Sequence, residues 1–276
     1  MSAAVKLKNI VAGISRSCVG RRQLIRGGRF LMNAGMLRGS NDPRTNGELD
    51  YLERMIRASG DRSPVVIDVG ANYGIYCSHA SKLMEGNGRI FAAEPCRATF
   101  VQLQQNTAGL PTDIDCMNVA FSDKQGEAQL YVVGAGAGTN SLEAEVTPTD
   151  ATERVALMTL DHFITAARLD QVDLVKIDTE GHDYAVLCGA RQGIGSGKIR
   201  ALQFEYNWRW ISQRSFLRDV FQLIADVDYQ FGRVTPDGIE VYDQWHQRME
   251  TLVEDNYAIF HSDLGKHLKL ISPPGA

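Results

Sequence analysis

Residues Val65 to Gly74, reading Val-Val-Ile-Asp-Val-Gly-Ala-Asn-Tyr-Gly, constrain this chain more than any other stretch. A continuous apolar run of this length suits a strand buried on both faces, and its end on Gly70 predicts a tight turn into a helix. From Pro64 onward such runs alternate with stretches of helical period, the pattern of βαβ units around a parallel sheet. Strands are expected near Val65–Val69, Arg89–Glu94, Asp115–Val119, Leu174–Ile177, Leu202–Tyr206, Tyr229–Val234 and Tyr257–His261. Helices are expected near Tyr73–Met84, Thr99–Asn106, Asp183–Ala190 and Phe216–Ala225. The turn Thr235-Pro236-Asp237-Gly238, before Ile239–Tyr242, predicts a hairpin near the end. The expected class is therefore α/β, a seven-stranded and mostly parallel sheet with an antiparallel C-terminal finish. Glu127–Val133 reads as an inserted strand, and Gly134–Gly138 with Thr139-Asn140-Ser141 as a small-residue loop, either a lid or a plain surface excursion.

With 276 residues, 44% of them hydrophobic, the chain can bury one sizeable core. Residues 46–276 read as one domain and residues 1–45 as an extension. Residues 1–44 carry nine basic side chains (Lys6, Lys8, Arg16, Arg21, Arg22, Arg26, Arg29, Arg38, Arg44) against the single acid Asp42, hence +8. The whole chain is −4, so the remainder is −12. The preferred reading of the extension is a helical lid packed on the domain with its basic side solvated; the other is a basic amphipathic helix on an anionic membrane face. Nucleic acid is not expected as a partner, because the segment offers only Phe30 for stacking and the rest is acidic. No run reaches the roughly 18 apolar residues of a spanning helix, and Cys18, Cys77, Cys96, Cys116 and Cys188 form no Cys-x-x-Cys pair. A soluble protein of a reducing, cytoplasmic compartment is expected.

The glycine turn also speaks about its ligand. Gly70 turns the chain where a side chain would meet the ligand, and Gly74 permits close approach of the following helix. Asp68, at the carboxyl end of the strand, is placed to accept from the ammonium of a bound amino acid moiety. A pyrophosphate would want Gly-x-Gly-x-x-Gly, whereas the spacing here is Gly-x-x-x-Gly with Asn72 at the second position and an acid just before. No Gly-Lys-[Ser/Thr] follows, which argues against a P-loop. Glu94 closes the next expected strand, where an acid can accept from both ribose hydroxyls of an adenosine.

Together with later blocks these residues resemble the FkbM-type family of class I S-adenosylmethionine-dependent methyltransferases. The likeness runs through Val66–Gly74, Ala93-Glu94-Pro95, Asn118-Val119-Ala120-Phe121-Ser122-Asp123, Thr159-Leu160-Asp161-His162-Phe163 and Asp173-Leu174-Val175-Lys176-Ile177-Asp178-Thr179-Glu180-Gly181-His182-Asp183. It covers about Val65 to Tyr206, with a tail to Phe260, and leaves out the extension. The resemblance implies a Rossmann-like fold and S-adenosylmethionine as cofactor, held by Asp68, Gly70, Asn72, Tyr73, Gly74, Glu94, Pro95, Ala120, Ser122 and Asp178. It further implies O-methylation of a sugar hydroxyl in a glycan, glycolipid or glycosylated metabolite. N-methylation of an amine or peptide is the alternative, and a nicotinamide-dependent oxidoreductase a more distant one.

Methyl transfer to a hydroxyl asks the protein to align a nucleophile and take its proton. Asp178, Glu180 and His182 follow the fourth expected strand at the sheet edge where ligands of open α/β sheets collect, and are the expected catalytic groups. An imidazole titrates near neutral pH and suits the base, with Glu180 orienting it or the acceptor. Asp183 is read instead as a helix-start residue. Asp161, Asp178, Glu180 and His182 lack a compelling metal-ligand spacing, so no metal is expected. Lys176, inside an apolar strand, needs an acid, and Glu205 on the next strand is the expected partner. Glu205, Asn207, Trp208 and Trp210 are the expected acceptor-pocket residues, the indoles for stacking on a sugar ring.

Overall fold

The computed structural model describes residues 3–15, 18–38, 42–134, 138–144 and 149–273. Its centre is a nine-stranded sheet. Strands β1 (Val65–Val69), β2 (Arg89–Ala93) and β3 (Asp113–Met117) run parallel on one side of the first strand's position. A second sheet intervenes in sequence: β4 (Ala120–Phe121), β5 (Gly126–Tyr131) and β6 (Thr152–Met158), in the order β4-β6-β5. The chain then returns to the main sheet with β7 (Leu174–Ile177), β8 (Ala201–Tyr206), β9 (Tyr229–Thr235), β10 (Gly238–Tyr242), β11 (Asp255–His261) and β12 (Leu270–Ile271). The spatial order is β12-β10-β9-β11-β8-β7-β1-β2-β3. β1 pairs parallel with both β2 and β7, so strand order reverses beside β1, the switch point where open α/β sheets bind ligands. β11 enters antiparallel between β8 and β9.

All seven expected strands lie in this sheet. It exceeds the expectation by β10, which is the expected hairpin partner of β9, and by the two-residue β12. β5 is the expected insertion, whereas β6, which pairs with it, carries the charges Glu153 and Arg154 and gave no apolar run to recognise.

Alternation along the strands divides the core. Ile67 and Val69 of β1, with Val175 and Ile177 of β7, face one layer; Val66 and Leu174 face the other. The first layer is covered by Val186 and Leu187 of α7 (Asp183–Cys188) and Leu217 and Val220 of α9 (Leu217–Leu223); Leu160 and Ile164 of α6 (Leu160–Ala166) and Ile194 of α8 (Arg191–Gly195) join them. The second is covered by Tyr51, Leu52 and Met55 of α3 (Glu48–Ala58) and by Cys77, Ala80 and Met84 of α4 (Ile75–Met84), with Leu103 of α5 (Arg97–Thr107). Because the side-chain period of a strand is two, Asp68 and Lys176 share the second face and sit in register.

The extension forms α1 (Ala3–Ile14) and α2 (Cys18–Gly35). Their apolar side chains are not folded onto the domain: Leu7, Ile10, Val19, Phe30 and Leu31 are all more than half exposed. The preferred lid reading therefore fails for most of this segment, since burying an apolar stripe is what would hold a lid down. Among the described residues its C-terminal end is fastened by Arg38, which pairs with Asp255 and donates to Thr251 Oγ1 (3.0 Å). Arg16 and residues 135–137 of the glycine loop lie outside the described residues.

Candidate cofactor and acceptor site

Sequence dictates the floor of the site through glycine. Gly70 has φ +79°, and a Cβ there would lie 1.8 Å from the carbonyl oxygen of Asp178. The turn after β1 is thus pressed against the end of β7, which no other residue permits. Gly74, at φ +80°, caps α4, but the neighbours a Cβ would strike are Leu103 and Thr107 of α5. The close approach it permits is to α5 and not to the helix it opens, a correction to the sequence reading.

Two cavities meet along this floor. One is lined by Gly70, Asn72, Glu94, Pro95, Val119, Ala120, Leu142, Asp178, Glu180 and His182 among others. A separate pocket lined by Asp68, Tyr73, Tyr76 and Lys176 lies on the other side of the glycine turn and shares Gly70, Asn72 and Asp178 with it. The other, of about 600 Å³, is lined by Asn33, Arg38, Glu48, Glu205, Arg209, Glu254 and Asp255, and shares Gly138, Asp178 and Glu180 with the first.

The first cavity, together with the Asp68 pocket across the glycine turn, fits the expected cofactor. Asp68 is 1% exposed, accepts from Cys77 Sγ (3.1 Å) through Oδ2, and leaves Oδ1 without a partner among the described residues. A buried carboxylate oxygen left unpaired is costly, and a ligand ammonium would satisfy it. Burial pushes this carboxyl up, with Lys176 and Cys77 opposing. Asn72, at φ +47°, donates its backbone N–H to Glu94 Oε2 (3.0 Å), and its own buried Oδ1 is likewise unpartnered among the described residues. Glu94 accepts also from the N–H of Cys96 (2.9 Å), and burial pushes it up to about 7 against those bonds. Asn118 donates to the carbonyls of Glu94 and Pro95 (2.9 and 2.7 Å) and holds the end of β2.

The far wall comes from the insertion. Within residues 138–144, Ser141 donates to the carbonyl of Glu180 (2.8 Å), and Glu143 meets His182 Nδ1 (3.0 Å) and Gln213 Nε2 (2.9 Å). His182 Nε2 lies 2.9 Å from Ser122 Oγ. Both ring nitrogens of His182 therefore have partners inside the protein, and the imidazole ties the described part of this loop to the rim of β7. Ser122 is 1% exposed and meets the cavity only through His182.

Glu180 occupies the junction of the two cavities. Its backbone is left-handed at φ +55°, a conformation that costs free energy in a residue other than glycine. Its Oε2 lies 3.1 Å from Arg209 Nε, and burial, then Asp178, push its carboxyl up to about 8 against the pull of Arg209. A carboxyl tuned to that range can exchange a proton near neutral pH. Asp178 accepts from Lys176 Nζ at 2.9 Å. Burial disfavours the Lys176 charge, yet Asp178, Asp68 and Glu48 outweigh it and raise the ammonium above its ordinary value.

The expected Lys176–Glu205 pair is absent: Lys176 stands opposite Gln203 in register and reaches Asp178, while Glu205 accepts from Asn207 Nδ2 (2.6 Å). Glu205 does line the second cavity, and burial pushes its carboxyl up. Trp210 does not reach that cavity. It is 1% exposed, packs edge-on against Tyr206 at 4.9 Å and donates to the carbonyl of Glu205 (2.9 Å). Asn207 is buried and caps the turn that follows through the N–H of Arg209 (2.8 Å), so both serve the fold. Trp208 is half exposed, with Arg209 over its ring at 5.3 Å. Asp183 accepts from the N–H of Gly181 (3.2 Å) at the start of α7, the role read for it from sequence. Glu48, Glu143 and Gln213 carried no local signal; they arrive from distant segments.

The family model described as the methyltransferase FkbM domain matches residues 68–231. The hexuronic acid methyltransferase AglP of Haloferax volcanii is 23% identical over 194 residues, covering 68% of this chain and 77% of that protein. Among solved structures, the SAM-dependent methyltransferase from Agrobacterium tumefaciens aligns at a TM-score of 0.43 and 12% identity over 78% of this chain. This chain spans 61% of its length. Precorrin-6y C5,15-methyltransferase from Geobacter metallireducens aligns at a TM-score of 0.43 and 12% identity, covering 78% of this chain and 87% of that one.

Proposed function

Because the chain belongs to the methyltransferase FkbM domain family and takes S-adenosylmethionine as its methyl donor, we propose that it is an O-methyltransferase acting on a sugar hydroxyl, with Glu180 as the proton acceptor. The carrying observation is that Asp178 and Glu180 line both the cofactor cavity and the second cavity. The cofactor supplies an electrophilic methyl group on a sulfonium. Asp68 would hold its ammonium and Glu94 its ribose, while Asp178 and Glu180 face the methyl from the acceptor side. A sugar hydroxyl is a weak acid, so its attack needs a base within hydrogen-bond reach, and Glu180 has both the position and the raised pKa. Arg209, beside Glu180, keeps the carboxyl from rising further and orients it. His182, with both ring nitrogens engaged, would position Glu180's loop instead of taking the proton itself.

The name of AglP supports a sugar acceptor. The lining of the second cavity narrows the class, since Glu48, Asp178, Glu180, Glu205, Glu254 and Asp255 face two arginines already paired with acids, Arg38 and Arg209. Such a wall favours a neutral or amino sugar over one bearing its own carboxylate, and a glycan or small molecule over nucleic acid. The same wall favours the second reading, N-methylation of an amine.

Incubating the enzyme with labelled S-adenosylmethionine and panels of neutral, amino and acidic glycans separates these readings. Transfer to oxygen of a neutral or amino sugar is the expected result. Label on nitrogen supports the second reading, transfer restricted to the hydroxyls of uronic acids overturns the narrowing to neutral or amino sugars, and transfer restricted to RNA contradicts both readings.

A further inference from the structure

Helix α1 and the first three turns of α2 line neither of the two cavities of the proposed reaction. In α1, Leu7, Ile10, Val11 and Ile14 recur at helical spacing along one face, all exposed, and Lys6 and Lys8 fall on either border of that stripe. In α2, Arg22, Arg26 and Arg29 repeat at i, i+4, i+7, flanked by the exposed Val19 and Phe30 on one side and by Ile25 and Met32 on the other. Phe30 and Leu31 are 71% and 70% exposed. No acidic residue precedes Asp42, which is itself paired with Arg44. The apolar stripe is contiguous in α1, whereas in α2 the arginines separate two apolar flanks; exposed apolar side chains in this number are rare on monomeric soluble surfaces, and cations without acids select an anionic counterpart.

We propose that α1 and α2 dock the protein on the surface of an anionic lipid bilayer, with the apolar stripes in the headgroup boundary and the lysines and arginines against lipid phosphates. Neither helix spans: among the described residues no helix is long and apolar enough to cross a membrane. The position of the docking surface gives it a use. Asn33, Leu37 and Arg38, at and just beyond the end of α2, line the second cavity, and Arg38 is clamped to Asp255 beside it. A bilayer under α1 and α2 therefore lies next to the acceptor entrance, which suits an acceptor whose sugar is carried on a lipid. That last step rests on the proposed sugar acceptor; the docking does not.

The test is sedimentation of the full-length chain with vesicles of phosphatidylcholine alone or with phosphatidylglycerol, at low and high salt. S-adenosylhomocysteine binding is measured in parallel. Binding to the anionic vesicles is expected, weaker by about tenfold or more on neutral vesicles or in high salt. Leu7→Glu with Phe30→Glu is expected to reduce it by about tenfold again while leaving the S-adenosylhomocysteine affinity unchanged. No binding, or equal binding by the variant, overturns the proposal. So does a doubled solution mass that the variant returns to that of a single chain, because the face would then join two copies. If docking holds while no sugar is methylated, only the acceptor reading fails.

Discussion

Glu180, the proposed proton acceptor, is tuned by its own backbone, by burial and by two charged neighbours. Its left-handed backbone turns the side chain into the junction, burial and then Asp178 raise its pKa, and Arg209 limits the rise. As a base it must be deprotonated, so kcat/KM is expected to rise with pH through about 8. Glu180→Gln is expected to lower kcat by roughly 100-fold to 10,000-fold and to abolish that limb, with S-adenosylhomocysteine affinity unchanged. A variant that keeps the wild-type pH profile would remove Glu180 from the role. Gly70 is the opposite case, a residue whose absent side chain is its contribution. Gly70→Ala sets a Cβ against the Asp178 carbonyl and is expected to cost about 3 kcal/mol or more and to abolish cofactor binding, read by thermal melts and calorimetry.

At the scale of elements, the described loop 138–144 and the aromatic block behind β8 have different duties. The loop closes the cofactor cavity and is held by side-chain hydrogen bonds, from Ser141 to Glu180 and between Glu143 and His182 and Gln213, by the backbone bridge of Ser141 to Tyr131, and by Leu142, which packs against the cluster around Ala120 and Leu130. Hydrogen bonds from His182 and Gln213 hold the Glu143 carboxyl below the usual range, so it is a charged anchor at neutral pH. Glu143→Ala is expected to weaken S-adenosylhomocysteine binding about tenfold while changing the melting temperature little, because the core is untouched. The aromatic block is the reverse: Trp210 packs with Phe204, Tyr206 and Tyr184 in the core layer. Trp210→Ala is expected to cost about 3–5 kcal/mol in denaturant titrations. A large loss of acceptor affinity without loss of stability would return Trp210 to the pocket.

Over the whole molecule, the buried acids make stability depend on pH in a direction opposite to that of ordinary salt-bridged proteins. Glu94 and Asp183 are raised to about 7 and Glu180 to about 8, all above their unfolded values. A raised carboxyl binds its proton more tightly when folded, so its contribution is greatest in acid and is lost as pH rises through that interval. The ligand-free protein is expected to melt at progressively lower temperature from about pH 5 to about pH 8. Glu143 and Asp263, held below their ordinary values, lose their contribution only at lower pH. A melting temperature that climbs over the interval would show that the acids are not buried as described.

Period and punctuation in the chain were sufficient for the seven sheet strands and the glycine turn, and for setting Asp68, Glu94, Asp178 and Glu180 at or beside strand ends where they line cavities, because strand alternation and a forced positive φ are local properties. β6 escaped because its outward charges mask its alternation, and α3 because its N-terminus follows Gly47 without a capping side chain. Local pattern also misassigned partners. Lys176 and Glu205 lie on the same face of adjacent strands, yet register puts Gln203 opposite the lysine and leaves Asp178 within reach. Trp208 and Trp210 are two residues apart, and packing sends one outward and the other into the core. Which carboxylates line both cavities, which imidazole is already engaged, and which apolar helices remain uncovered depend on segments far apart in sequence meeting in space. Composition can name such residues, but only the folded chain's contacts select among them.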